Sequence, residues 1–372
     1  MKKIVSLLFS FLLIISGVAG QDLRKEFSVS KGQTLDVDLR TGGSIEIRGW
    51  DKDLADIQIR FIECDPDDFE FEFTPKRSGL MVRSESKRHI RNIDIQVSVM
   101  IPSEFSLYLK TIGGEISIQD IKGKIEGRTA GGALTLDNLK GEIYLATGGG
   151  PIILIDSQID GRVTTGGGSV LVENVEGDIE ATSGGGNVVY KNVKTPFRTY
   201  PADQVYIRNA GGALKVEEAP AGADVQTGGG NIRILSASEF VKATTGGGDI
   251  TIDAVDGWVK ATTGAGDIRV TMVGDPEDGK RHITLVTGTG GIYVTVPENL
   301  SMDLDIELAY TKNNTGKYKI TSDFKLQEVE TDTWDNTQGT PRKYIFGKAS
   351  IQGGRNEVII RTVNGNVHLR SK

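Results

Sequence analysis

The chain repeats itself every eighteen residues, and this interval restricts its fold more than any other feature. TIGGEISIQDIKGKIEGR, TAGGALTLDNLKGEIYLA and TGGGPIILIDSQIDGRVT follow one another without a gap, and TGGGNIRILSASEFVKAT and TGGGDITIDAVDGWVKAT do the same further on. Units open at Thr111, Thr129, Thr147, Thr165 and Ser183, then at Asn209, Thr227, Thr245, Thr263 and Thr287. Seven of the nine intervals are 18 residues; the other two, 26 and 24, place insertions near 193–208 and 274–279. A unit this short holds two strands at most and cannot bury a core alone, so the units must stack.

Counting from the opening residue as offset zero, offset 5 is always Ile, Leu or Val, and offset 7 is always one of these or Tyr. The residue between them is often polar, as at Ser117, Thr135, Arg233 and Thr251, which is the period-two pattern of a half-buried strand. A second strand follows at offsets 14 and 16, for example Ile143/Leu145 and Val259/Ala261. The expected fold is therefore all-β: a right-handed parallel β-solenoid (β-helix) of about ten units, each pairing in register with the next. A propeller is excluded, because its blades need about 40 residues and four strands.

The corners add detail. Glycines at offsets 1 to 3 suit backbone with positive φ and a close neighbouring chain, so a change such as Gly247→Val is expected to destabilise. Asp120, Asn138, Asp156, Asn174 and Asn192 occupy offset 9 of five consecutive units and read as a column of left-handed turns. Residues 21–110 and 296–372 lack the repeat but alternate in longer strands (ADIQIRFIE, MDLDIELAY), and are expected to be β-rich caps covering the ends of the stack around units 111–295.

Glycine accounts for 48 of 372 residues, which argues against a helical protein, and a net charge of −7 disfavours nucleic acid as a partner. The single cysteine, Cys64, offers neither an internal disulfide nor a thiolate cluster; no cofactor or metal is expected. Lys2 and Lys3, an apolar run from Ile4 to Ile15 and small residues to Gly20 form a signal peptide over 1–20. The run is too short to span a bilayer, so the expectation is export to a periplasmic, cell-surface or extracellular location, with no membrane-spanning segment after cleavage.

The stretch VSVMIPSEFSLYLKTIGGEISIQDIKGKI, the recurrent T-x-G-G corners and the ending TVNGNVHLR resemble the bacterial putative-adhesin β-strand-repeat family, from SIEIRGWDKD to the C-terminus. The resemblance implies an exported β-solenoid of unknown function and supplies no catalytic residues.

Candidate sites are sparse. The run Gly274–Arg281 matches G-x4-G-K, but Arg281 stands where a phosphate loop needs Ser or Thr and a strand follows, so nucleotide binding is not expected. Asn231, Asp249 and Asp267 form a column at offset 4 that an enzyme acting on polysaccharides would need to exploit; this is the alternative to a non-catalytic reading. Phe240, Trp258 and His282 fall on one outward column, with Lys242 and Lys260 two residues along; rings flanked by donors suit a glycan or another envelope component. Ile153, Leu171 and Val189 make an outward apolar column, which a partner would cover or which Phe197 and Tyr200 of the first insertion would cover. The function expected is that of an exported, non-catalytic, adhesin-like binding or structural module of a bacterial cell envelope.

Overall fold

The computed structural model describes residues 22–62, 64–88, 94–194, 204–315, 317–337 and 339–372. Among them the chain is all-β: thirty-one strands join one sheet that does not close, and Pro66–Asp68 and Lys312–Asn314 are its two single-turn helical segments. No helix among the described residues is long and apolar enough to cross a membrane.

The repeat governs the pairing. One parallel ladder joins the strands that begin at offset 5: Ile116–Gln119, Leu134–Asp137, Ile152–Ile155, Val170–Glu176 and Val188–Lys194, each displaced by eighteen residues from the one before. A second ladder joins Ser106–Thr111, Lys122–Thr129, Lys140–Thr147, Gln158–Thr165 and Ile179–Ser183 in the same register. All twenty residues at offsets 5 and 7 are buried, from Ile116 to Val294, and belong to one continuous hydrophobic cluster. A third inward column, at offset 10, did not show in the alternation: Ile121, Leu139, Ser157, Val175, Val193, Ala219, Ala237 and Val255 are all buried. Its lone hydroxyl is satisfied, since Ser157 Oγ donates to Ile155 O (2.7 Å) and accepts from Leu139 N (3.0 Å).

The turn between the ladders follows the residue at offset 9. Asp120, Asn138, Asp156, Asn174 and Asn192 all adopt the left-handed conformation, with φ from 47° to 61°. Asn138, Asn174 and Asn192 each donate from Nδ2 to the Asx side chain of the unit before, at 2.6–2.9 Å. Where Ser236 and Ala254 replace the Asx residue, the two strands fuse into single fourteen-residue strands, Ile232–Thr245 and Ile250–Thr263. The positive φ then moves three residues along, to Glu239 (62°) and Gly257 (157°).

The glycine corner obeys a different rule from the one expected. A Cβ on Gly246 or Gly248 would lie 2.1–2.2 Å from the carbonyl oxygen of Gly228 or Gly230 in the unit before, whereas a Cβ on Gly247 would meet nothing within 4 Å. None of these three residues has positive φ. Gly246 and Gly248 therefore need to be glycine for close approach between units, and Gly247 does not; offset 3 is glycine in every unit, whereas offset 1 also carries Ile112, Ala130 and Ala210, and the expectation for Gly247→Val is corrected accordingly.

Both ladders continue beyond the repeats. Thr34–Leu39 pairs in parallel with Ser106–Thr111, and Ser44–Trp50 with Ile116–Gln119. Asn356–Val363 and Val367–Ser371 likewise pair with Ile283–Thr287 and Ile292–Val296. Antiparallel strands lie outside these, including Asp22–Ser28 against Leu54–Ile62, Phe69–Lys76 against Gly79–Ser86, and Arg342–Ile351 against Met302–Thr311. At the N-terminal end phenylalanines join the two ladders: Phe27 stacks on Phe73 with centroids 5.8 Å apart, and Phe61 meets Phe69 and Phe71 at 5.9 Å.

Candidate functional site

Outward positions of the second ladder are offsets 13, 15 and 17, and in two adjacent units they carry an aromatic residue, Lys and Thr. Phe240, Lys242 and Thr244 lie in register with Trp258, Lys260 and Thr262. The fused strands Ile232–Thr245 and Ile250–Thr263 hold these side chains on a continuous parallel register of nine pairs, from Ala237↔Val255 to Thr245↔Thr263. Phe240 and Trp258 are half-buried and stack with centroids 5.0 Å apart and planes 15° from parallel. Phe240 also lies on Gly222, where a Cβ would come within 2.4 Å of its ring. The rings thus spend most of their faces on each other and on Gly222, leaving the upper face of the indole turned toward the next unit.

His282 occupies that next position but is not stacked on Trp258. Its exposed imidazole is drawn the other way, with Nδ1 accepting the Glu357 N–H at 3.0 Å. That bond leaves the neutral ring with its proton on Nε2. The two lysines differ as well: Lys242 Nζ is 3.0 Å from Asp224 Oδ2, while the Lys260 ammonium has no ion pair or hydrogen bond among the described residues. Arg208 Nη1 holds the same Asp224 at 2.9 Å. Burial pushes the Asp224 carboxyl upward, but the two cationic donors outweigh it and hold it below the ordinary carboxylate range.

The apolar column on the first ladder is also in register, Ile153 opposite Leu171 and Leu171 opposite Val189. Ile153 is exposed and the other two are half-buried. Phe197 and Tyr200 lie outside the described residues.

The acidic column at offset 4 is occupied in a structural way. Asn231 Oδ1 accepts the Asp249 N–H (2.9 Å), Asp249 Oδ1 the Asp267 N–H (2.8 Å), and Asp267 Oδ1 the Gly291 N–H (2.8 Å). Arg269 closes on the second oxygen of Asp267 at 2.7 Å. Each side chain is thereby committed to the backbone of the following unit. Arg281 is likewise structural: buried at 2% exposure, it donates to Asp278 O, Val273 O and Asp256 Oδ1 at 3.0, 2.7 and 2.6 Å, tying the 274–279 loop to the neighbouring unit.

Two arrangements escaped the sequence reading. The opening residue of each unit is buried, and its hydroxyl bridges units: Thr245 Oγ1 donates to Gly230 O at 2.8 Å and accepts from Gly248 N at 3.3 Å. Asn209 also bridges two units, but its Nδ2 donates to both Gly186 O and Gly212 O, at 3.1 and 3.0 Å. The signal was present, because only Thr, Ser and Asn open the ten units. The second arrangement is an outward stack on the first ladder, Arg269 over Tyr293 (4.6 Å) and Tyr293 parallel to His368 (5.0 Å, 2°). Its members lie in register only because Val367–Ser371 returns to pair with Ile292–Val296 from far along the chain.

No family model matches this chain, and no curated protein does. Among solved structures, the chain is similar to a putative cell adhesion protein from Clostridium sporogenes over 95% of this chain and 100% of that one, at 9% identity and a TM-score of 0.17. A putative lipid binding protein from Parabacteroides distasonis matches over 74% and 97%, at 14% identity and a TM-score of 0.33. A putative adhesin from Bacteroides fragilis matches over 69% and 100%, at 16% identity and a TM-score of 0.32.

Proposed function

We propose that this protein is an exported, non-catalytic, adhesin-like binding or structural module of a bacterial cell envelope, built as a right-handed β-solenoid with residues 21–110 and 296–372 forming its ends. The observation that carries the reading is the eighteen-residue parallel register running through both ladders. Such a stack buries its recurrent apolar offsets inward and leaves the outward ones, among them 6, 8, 13, 15 and 17, free to vary, so recognition belongs to its outward faces. Right-handedness follows from the twist of parallel strands joined by crossovers. The non-catalytic part of the reading is supported by the offset-4 acids, whose oxygens are bonded to the next unit instead of facing one another across a cleft. Export rests on the 1–20 leader pattern.

The test is retention of the purified chain, lacking 1–20, on an array of glycans and envelope polymers. Saturable binding to at least one class is expected. No retention on any of them, together with turnover of a polysaccharide in solution, would replace this reading with the enzymatic alternative.

A further inference from the structure

Resting on the binding-module reading, we infer that the twin triplet Phe240-Lys242-Thr244 and Trp258-Lys260-Thr262 is a binding site for an acidic glycan. The reason is electrostatic. Lys242 and Lys260 are directly opposite on adjacent parallel strands, which places their Cα atoms about 4.8 Å apart. Like charges at that position destabilise a sheet. One carboxylate, Asp224, serves Lys242, and nothing among the described residues serves Lys260. The neighbouring outward positions of this face show no such repeat: Glu142-Tyr144-Ala146, Asp160-Arg162-Thr164 and Gly222-Asp224-Gln226 share no pattern with one another. Core packing gives no reason for the recurrence, since these side chains point away from the core.

An anion on a sugar ring resolves the repulsion. Its oxygens accept from the Lys260 ammonium and share that of Lys242, the ring's apolar face lies on the indole face of Trp258 opposite Phe240, and the Thr244 and Thr262 hydroxyls meet the sugar hydroxyls. Carboxylate and sulfate groups share this chemistry, and the two are separated by the choice of polymer.

The experiment measures binding of the purified chain to polygalacturonate, dextran sulfate and neutral dextran, comparing wild type with Lys260→Gln, Trp258→Ala and, as a charge-matched control on the other ladder, Arg233→Gln. Expected are binding to one or both acidic polymers and none to dextran, an affinity loss of about ten-fold in Lys260→Gln and in Trp258→Ala, and wild-type affinity in Arg233→Gln. Lys260 is exposed, so its substitution leaves folding intact even if Trp258→Ala does not. Equal losses in Lys260→Gln and Arg233→Gln would show non-specific attraction and overturn the site. Binding to dextran or to another neutral polymer without either acidic one would overturn the site and leave the binding module standing. Failure to bind any of these polymers or any member of the wider array would remove both.

Discussion

At the scale of single residues, the units are held together by backbone contacts that a side chain must either make or avoid. Thr245 is 2% exposed, and replacing it with the isosteric valine would leave the Gly230 carbonyl and the Gly248 N–H without a partner inside the stack. Thr245→Val is expected to cost about 1–3 kcal/mol, while Thr245→Ser keeps the bridge and costs less, measured by denaturant unfolding. The glycines give a sharper contrast within three consecutive positions. Gly246→Val and Gly248→Val force a carbon onto a carbonyl oxygen and should unfold the protein at far lower denaturant, whereas Gly247→Val should be close to neutral. Equal effects at all three would mean that backbone conformation, and not approach between units, selects glycine there. These distinctions were invisible in the sequence, where TGGG presents three equivalent glycines beside a threonine that looks solvent-facing. Hydrophobic alternation reports which side chains are apolar, and the bridging hydroxyls and glycine carbonyls are buried without being so.

At the scale of strands, the ladder tolerates interruption where a side chain stands in for backbone. Tyr190 is the sole aromatic residue in the offset-7 column, and it sits in the unit from Ser183 that opens the 26-residue interval. Its hydroxyl donates to Ile179 O (2.8 Å) and accepts from Ala181 N (3.0 Å), two groups on the edge of Ile179–Ser183 that faces the next strand, Val205–Asn209. Elsewhere in the second ladder the next strand's backbone supplies that donor and acceptor. Burial pushes the phenol far above its ordinary value, so the hydroxyl keeps its proton at any physiological pH. Tyr190→Phe is expected to cost about 1–3 kcal/mol and to raise hydrogen exchange at Ala181 ahead of its neighbours; protection equal to wild type would show that the two strands pair without it. The sequence signalled this point through one exceptional tyrosine beside one exceptional interval, though not its cause. Acid acts on the following strand. Because the Asp224 carboxylate is held below the ordinary range by Arg208 and Lys242, its contribution is complete above the ordinary carboxylate pKa and is lost as pH falls through the depressed value. Asp224→Asn should therefore be less stable than wild type at neutral pH, with the difference closing in strong acid. A gap independent of pH would mean that the carboxylate's charge contributes nothing.

At the scale of the whole molecule, a stack in which each unit touches only its neighbours has stability that is nearly a sum of unit and interface terms. The eighteen-residue period made the in-register parallel pairing legible in the sequence, because twenty inward offsets agreed. The return of Asn356–Val363 and Val367–Ser371 onto the last units, after some sixty residues of other strands, carried no comparable signal beyond the motif TVNGNVHLR. The arrangement has a mechanical consequence. Ile250 is fully buried and paired on both sides, with Ile232 below and Ile268 above. Ile250→Asp places an unpaired charge there and should cost several kcal/mol. In a globule with one cooperative core that loss lowers the stability of every amide alike. In a stack, the damage falls first on the units around residues 227–287, while the N-terminal units, held by the ring contacts of Phe27 with Phe73 and of Phe61 with Phe69 and Phe71, keep their protection. Hydrogen exchange of Ile250→Asp resolved along the chain is expected to show that gradient, with unfolding in two steps. A uniform loss of protection, or an unfolding curve identical to wild type, would contradict the stacked register on which the solenoid reading depends.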